Sequence, residues 1–139
     1  RKWTGGEQRG WRLMLESMIK NDRELLRRGL EATGHCAGEL TPEAVAETHQ
    51  ALLDNLMTFV ASKTPCKVDK RSVLNEMRQF GPNGGFGRFR MRIPPAYVYA
   101  FRIYWGCFSI LSDLDVAVAA RPICERILAK LDAEDGPAC

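Results

Sequence analysis

Arg88, Arg90 and Arg92 alternate with Phe89, Met91 and Ile93. A two-residue period is that of a β-strand, which makes one side of this segment basic and the other apolar. Successive arginines then stand about 6.6 Å apart, two residues of strand rise, close to the spacing of phosphates along a nucleic-acid strand. The guanidinium is a planar donor fork suited to phosphate oxygens, and Phe86 and Phe89 supply faces on which unpaired bases stack. Lys63, Lys67, Lys70, Arg71 and Arg78 widen the same basic stretch. The chemistry this predicts is polyanion binding, with RNA or a single strand favoured and little base readout. Two other uses fit the same residues: a charged edge strand that resists edge-to-edge aggregation, and a partner for the acidic face of a neighbouring subunit.

Other groups able to do chemistry are scattered. His35, Cys36, His49 and Cys66 are of the types that zinc prefers, yet no CxxC or HxxxH spacing joins them. Buried thiols and a satisfied histidine account for them more simply, so no metal and no cofactor is expected. A cysteine nucleophile with a histidine base is likewise unsupported by spacing. The carboxylates fall on helix faces and caps, and the chain reads as a non-enzyme. The glycine run at 81–87 lacks the lysine and hydroxyl of a phosphate-binding loop and precedes a strand where such loops precede a helix. It reads as a hinge that presents the arginines.

These residues must be placed by a helical frame. The spacing of Trp11, Leu15, Met18, Leu25, Leu26 and Leu30 predicts a helix over 8–31. Thr41, Pro42 and Glu43 form a start signal of cap, first-turn proline and acidic first turn for a second helix over 42–62. A third is predicted over 70–80, capped by Asp69. Gly81-Pro82-Asn83-Gly84-Gly85 cannot propagate a helix, which makes 81–93 a Gly/Arg-rich loop followed by a short β-arm or hairpin edge that Pro94-Pro95 stops.

The run 95–111 carries Tyr97, Tyr99, Phe101, Tyr104, Trp105 and Phe108 with Arg102 as its one charge. As a helix it is apolar all round, and therefore the central buried helix of the domain. Its aromatic and β-branched content suits strands as well, and its length favours the helix. It falls short of a membrane span and holds an arginine at mid-length. A helix over 113–131, broken at Arg121-Pro122, and a frayed tail over 133–139 complete the chain.

With 45% hydrophobic and 27% charged residues, the 139-residue chain has enough apolar mass for one core. The expected fold is a mainly α single domain of five or six helices with a short β-arm or hairpin after the Gly-rich loop. A net charge of +3 conceals segregation: residues 1–30 hold 8 Lys/Arg against 4 Asp/Glu, 31–62 none against 5, 63–102 9 against 2, and 103–139 3 against 6. Two basic regions and an acidic one suggest anionic or complementary partners. Five widely spaced cysteines point to a reducing, intracellular setting, cytoplasmic or nuclear. Two functions are expected. One is RNA or single-strand binding through the arginine segment, within an oligomeric nucleoprotein in its fullest form. The other is a homo-oligomerising interaction module, adaptor or structural, built on the complementary charge blocks and the aromatic run, with the basic strand pairing to an acidic partner face. No membrane partner is expected.

Overall fold

The computed structural model describes residues 4–36, 40–54, 57–69, 71 and 94–135. Its first helix, α1 (Gly5–Lys20), begins three residues before the predicted start because Thr4 and Glu7 close a capping box. Thr4 Oγ1 accepts the Glu7 amide at 3.2 Å, and the Glu7 carboxylate accepts the Thr4 amide at 2.7 Å. Two of the free amides of the first turn are thus satisfied.

The single helix expected over 8–31 is two. Asn21 takes a left-handed conformation with φ 56°, which ends α1, and Asp22 caps α2 (Arg23–Thr33) by accepting the Glu24 and Leu25 amides at 2.9 and 3.1 Å. Asn tolerates positive φ, and Asp is among the strongest N-caps, so this pair outweighs the continuous apolar period across it. With only two residues between them, α1 and α2 fold back on each other. Gly10 and Gly29 meet at their crossing, where a Cβ on Gly29 would lie 2.9 Å from the Gly10 carbonyl oxygen. Gly34, at φ 70°, closes α2.

The predicted start of the second helix is observed: α3 runs Pro42–Asp54, and Thr41 Oγ1 accepts the Ala44 amide at 3.2 Å. It does not continue to residue 62. Met57 leaves helical geometry, its amide reaching back to the Leu52 carbonyl at 2.7 Å, and a separate short helix α4 (Thr58–Ala61) follows. Met14 and Met18 of α1, Leu26 and Leu30 of α2, Val45 and Leu52 of α3, and Met57 and Val60 around α4 make one buried core.

Strand β1 (Cys66–Lys67) pairs antiparallel with β2 (Ala117–Val118), in the register Cys66 to Val118 and Lys67 to Ala117. The predicted helix over 70–80 and the loop and β-arm over 81–93 lie outside the described residues, Arg71 excepted. A 3₁₀ turn, Pro95–Tyr97, leads into α5 (Val98–Asp113). The break expected at Arg121-Pro122 instead lies upstream, at Asp115 (φ 50°) and β2, after which α6 runs Ala120–Asp135. Pro122 falls in the first turn of α6, where a missing amide costs nothing. That helix also continues through the first residues of the tail expected to fray. The architecture is mainly α: six helices and one small antiparallel sheet among the described residues, with no helix of these long and apolar enough to cross a membrane.

Candidate interaction surface

The largest departure from expectation is α5. Its sequence is apolar nearly all round, and it was expected at the centre of the domain, yet not one of its residues is buried. At about 100° per residue, its side chains divide into two arcs. Phe101, Tyr104, Trp105 and Phe108 are half-buried on one. Tyr99, Arg102, Ile103, Gly106, Cys107, Ser109, Ile110 and Asp113 are all exposed on the other, and Leu114, which caps the helix, extends it.

The inward arc rests on aromatic contacts with the body of the domain. Phe108 meets Phe59 of α4 edge-on at 4.9 Å between centroids, and Tyr104 lies 4.2 Å from Phe108. Phe101 approaches Trp11 of α1 at 6.5 Å. Below them Tyr97, 1% exposed, packs against Trp11 at 5.6 Å and His35 at 4.8 Å. Aromatic pairs of this kind contribute about 0.5–1.5 kcal/mol each beyond their area. They fix which face of α5 looks outward.

That outward face is apolar where solvent-facing helices are normally polar. Tyr99, Ile103, Ile110 and Leu114 are exposed by 73%, 68%, 61% and 62%. Together they leave on the order of 400–500 Å² of apolar surface, the size of the largest patch on a typical monomer, which is often a functional surface. Ile123 and Ile127 add two further exposed apolar side chains, one turn apart on α6.

The residues singled out by their charge fall differently. Arg78, Phe86, Arg88, Phe89, Arg90 and Arg92 lie outside the described residues, as does Lys70. Arg71 is exposed. Lys67 is exposed on β1, and its ammonium is held by both carboxylate oxygens of Asp115 at 2.9 Å. A surface pair of this kind adds about 0–1 kcal/mol to stability, but it neutralises Lys67 locally and leaves it a weaker ligand for phosphate.

The histidines and cysteines are dispersed. Among the described residues no group of three or more His, Cys, Asp or Glu side chains could hold a metal ion. His49 is buried against α1 with Nε2 3.4 Å from the Ser17 carbonyl. His35 shares a hydrogen bond between Nδ1 and Thr33 Oγ1 at 2.7 Å, and its Nε2 finds no partner among the described residues. Burial lowers its pKa to about 4, so the ring is neutral at physiological pH. Cys36, Cys66, Cys107 and Cys124 form no disulfide among the described residues, and burial pushes the Cys124 thiol pKa up from its ordinary value.

One polar group that sequence reading missed ties three helices together. Arg121 of α6 donates Nη1 to the Ala61 carbonyl at 3.0 Å and Nη2 to the Ile19 carbonyl at 3.2 Å, while Nε donates to Glu125 at 2.9 Å. The two carbonyls end α4 and α1, where a cation also meets the negative ends of the helix dipoles. The outward face of α5 was missed as well, although at 100° per residue Phe101, Tyr104, Trp105 and Phe108 fall on one side and Ile103, Ile110 and Leu114 on the other. No family model, curated protein or solved structure matches the chain.

Proposed function

We propose that this chain is a protein-interaction domain, not an enzyme, and that it self-associates through the outward face of α5. One observation carries the reading: four long aliphatic or aromatic side chains stand more than 60% exposed along a single helix face while the helix's other face is anchored by aromatic packing. Leaving that much apolar surface in water is unfavourable by about 25 cal/mol per Å², and association removes the cost. Sedimentation equilibrium across a wide concentration range tests it. The weight-average mass should rise from 15.6 kDa towards twice that value as concentration increases. A mass that stays at the monomer value to about millimolar protein, the weak limit of useful association, removes the reading.

RNA or single-strand binding is a second reading, favoured by the alternation of Arg88, Arg90 and Arg92 with apolar residues. Exposed Arg71 adds to the basic stretch, and Lys67, paired with Asp115, adds less. Self-association would set two arginine segments on one particle and raise the effective concentration of the second, so the two readings reinforce each other in a nucleoprotein assembly. A salt titration with unstructured single-stranded RNA decides it. Each phosphate contact contributes about −0.7 to the slope of log affinity against log salt. Replacing the three arginines by alanine should flatten that slope by about 2. Affinity indifferent to salt, or to the triple replacement, would end the nucleic-acid reading.

A further inference from the structure

The outward face of α5 reads nearly the same in both directions. About the midpoint between Gly106 and Cys107, Ile103 mirrors Ile110 and Tyr99 mirrors Leu114. All six residues are exposed. At about 100° per residue they fall within some 50° of one line along the helix, Gly106 and Cys107 flanking that line at its centre. A face of this kind is its own complement under a two-fold rotation that reverses the helix, which is the condition for an isologous dimer.

From this we infer that the partner is a second copy of this chain, docked with the two α5 helices antiparallel and the two-fold axis passing beside Gly106 and Cys107. The inference rests on the self-association reading and specifies its geometry. Ile103 of each copy then faces Ile110 of the other, and Tyr99 packs over Leu114. Gly106 lets the helices approach, since a Cβ there would find nothing within 4 Å in its own chain. The two Cys107 side chains sit on the same flank of the axis, offset by about 1.5 Å along it, one residue of helix rise.

The area sets the strength. α5 has 16 residues and is therefore about 24 Å long. Burying roughly 400–500 Å² on each copy comes to less than the ~1,200 Å² total of stable interfaces, in the range of weak, reversible complexes. The dimer is thus expected to be concentration-dependent, with a dissociation constant in the micromolar range or weaker.

Copper-phenanthroline oxidation of the full chain at high and low concentration, read on non-reducing gels beside sedimentation of the unoxidised protein, tests the geometry. A disulfide-linked dimer should form at high concentration. Cys107→Ser should abolish it, while single Cys→Ser changes at the other four positions should leave it. Ile110→Arg, a change on an exposed face that leaves the monomer's melting curve intact, should weaken association at least tenfold and suppress the cross-link. A dimer in sedimentation that neither cross-links through Cys107 nor responds to Ile110→Arg overturns this pairing and leaves self-association to another surface. A monomer at every concentration overturns both.

Discussion

Gly29→Ala places two known effects in opposition, and the structure decides which wins. Alanine is favoured over glycine in a helix interior by about 1 kcal/mol, so on propensity alone the change stabilises α2. A Cβ at this position, however, would lie 2.7 Å from Met14 Cγ, 2.9 Å from the Gly10 carbonyl oxygen and 3.0 Å from the Met14 amide nitrogen. The side-chain contact can be relieved by a rotamer change. The other two are backbone atoms of α1, and only separating the helices relieves them. Overpacking of this sort costs about 1–3 kcal/mol, and here the separation also loosens Met14, Met18, Leu26 and Leu30 in the core. The upper part of that range applies, and after the propensity gain the net loss is about 1–2 kcal/mol. For a domain of this size that is a fall in Tm of roughly 3–10 °C. Gly106→Ala is the matched control, because nothing lies within 4 Å of its added Cβ. Measured in dilute solution, where the monomer dominates, it should raise Tm by about 3–5 °C through propensity alone. Thermal unfolding by circular dichroism measures both. If Gly29→Ala were as stable as the parent, or more so, the close helix crossing at Gly10 and Gly29 would be wrong.

His35 makes stability depend on pH. Its folded pKa, near 4, lies below the ordinary 6.5, so the unfolded chain binds a proton that the folded one rejects. The contribution is complete above pH 6.5 and is lost as pH falls from there to about 4, a total of about 2–4 kcal/mol. Urea denaturation at pH 7.5 and 4.5 should show this loss, and His35→Phe should remove most of it; equal slopes in the two proteins would contradict the burial argument. Arg121→Lys keeps the charge but loses the fork that reaches Ala61 and Ile19 together, and should cost about 1–3 kcal/mol in the same assay. Asp22→Ala removes the acceptor of two amides at the start of α2, with an expected loss of about 1–2 kcal/mol accompanied by reduced helicity.

The legible parts of the fold were those in which one residue type does one job. Thr41 and Pro42 start α3 where expected because a cap hydroxyl and a first-turn proline act within four residues and need no tertiary help. Thr4 and Glu7 form an equally local signal, overlooked because Gly5 and Gly6 stand between them and glycine argues against helix. The period that ran through 8–31 was real, since Met18, Leu26 and Leu30 are all buried. What the period cannot report is a turn of two residues between helices that contribute to the same core. Asn21 and Asp22 carried that information, in left-handed tolerance and capping. Arg121 was illegible for a different reason. Its partners are Ile19 and Ala61, and nothing local to residue 121 announces carbonyls so distant in sequence.

The outward face of α5 was illegible because burial is a property of what lies opposite. A helix apolar on every side belongs at the centre of a domain only when the chain has enough other elements to surround it. Here α1 to α4 already close a core from Met14, Leu26, Val45 and Val60, and α5 leans on it with one side, where Tyr104 and Trp105 pack against the core and Phe101 and Phe108 meet Trp11 and Phe59. One arc is satisfied by those aromatics, and the other is left without a neighbour of equal hydrophobicity. The composition of 95–111 therefore states correctly that both sides of the helix seek apolar contact, and the described fold supplies contact to one. The inference that a second copy supplies the other uses the same rule that failed to place the helix within a single chain, applied now to the pair. It follows that Ile103→Arg should leave the monomer as stable as the parent in dilute solution while abolishing concentration-dependent sedimentation. Loss of monomer stability by more than about 1 kcal/mol would mean that Ile103 is covered within its own chain, and the argument for an external partner would fail with it.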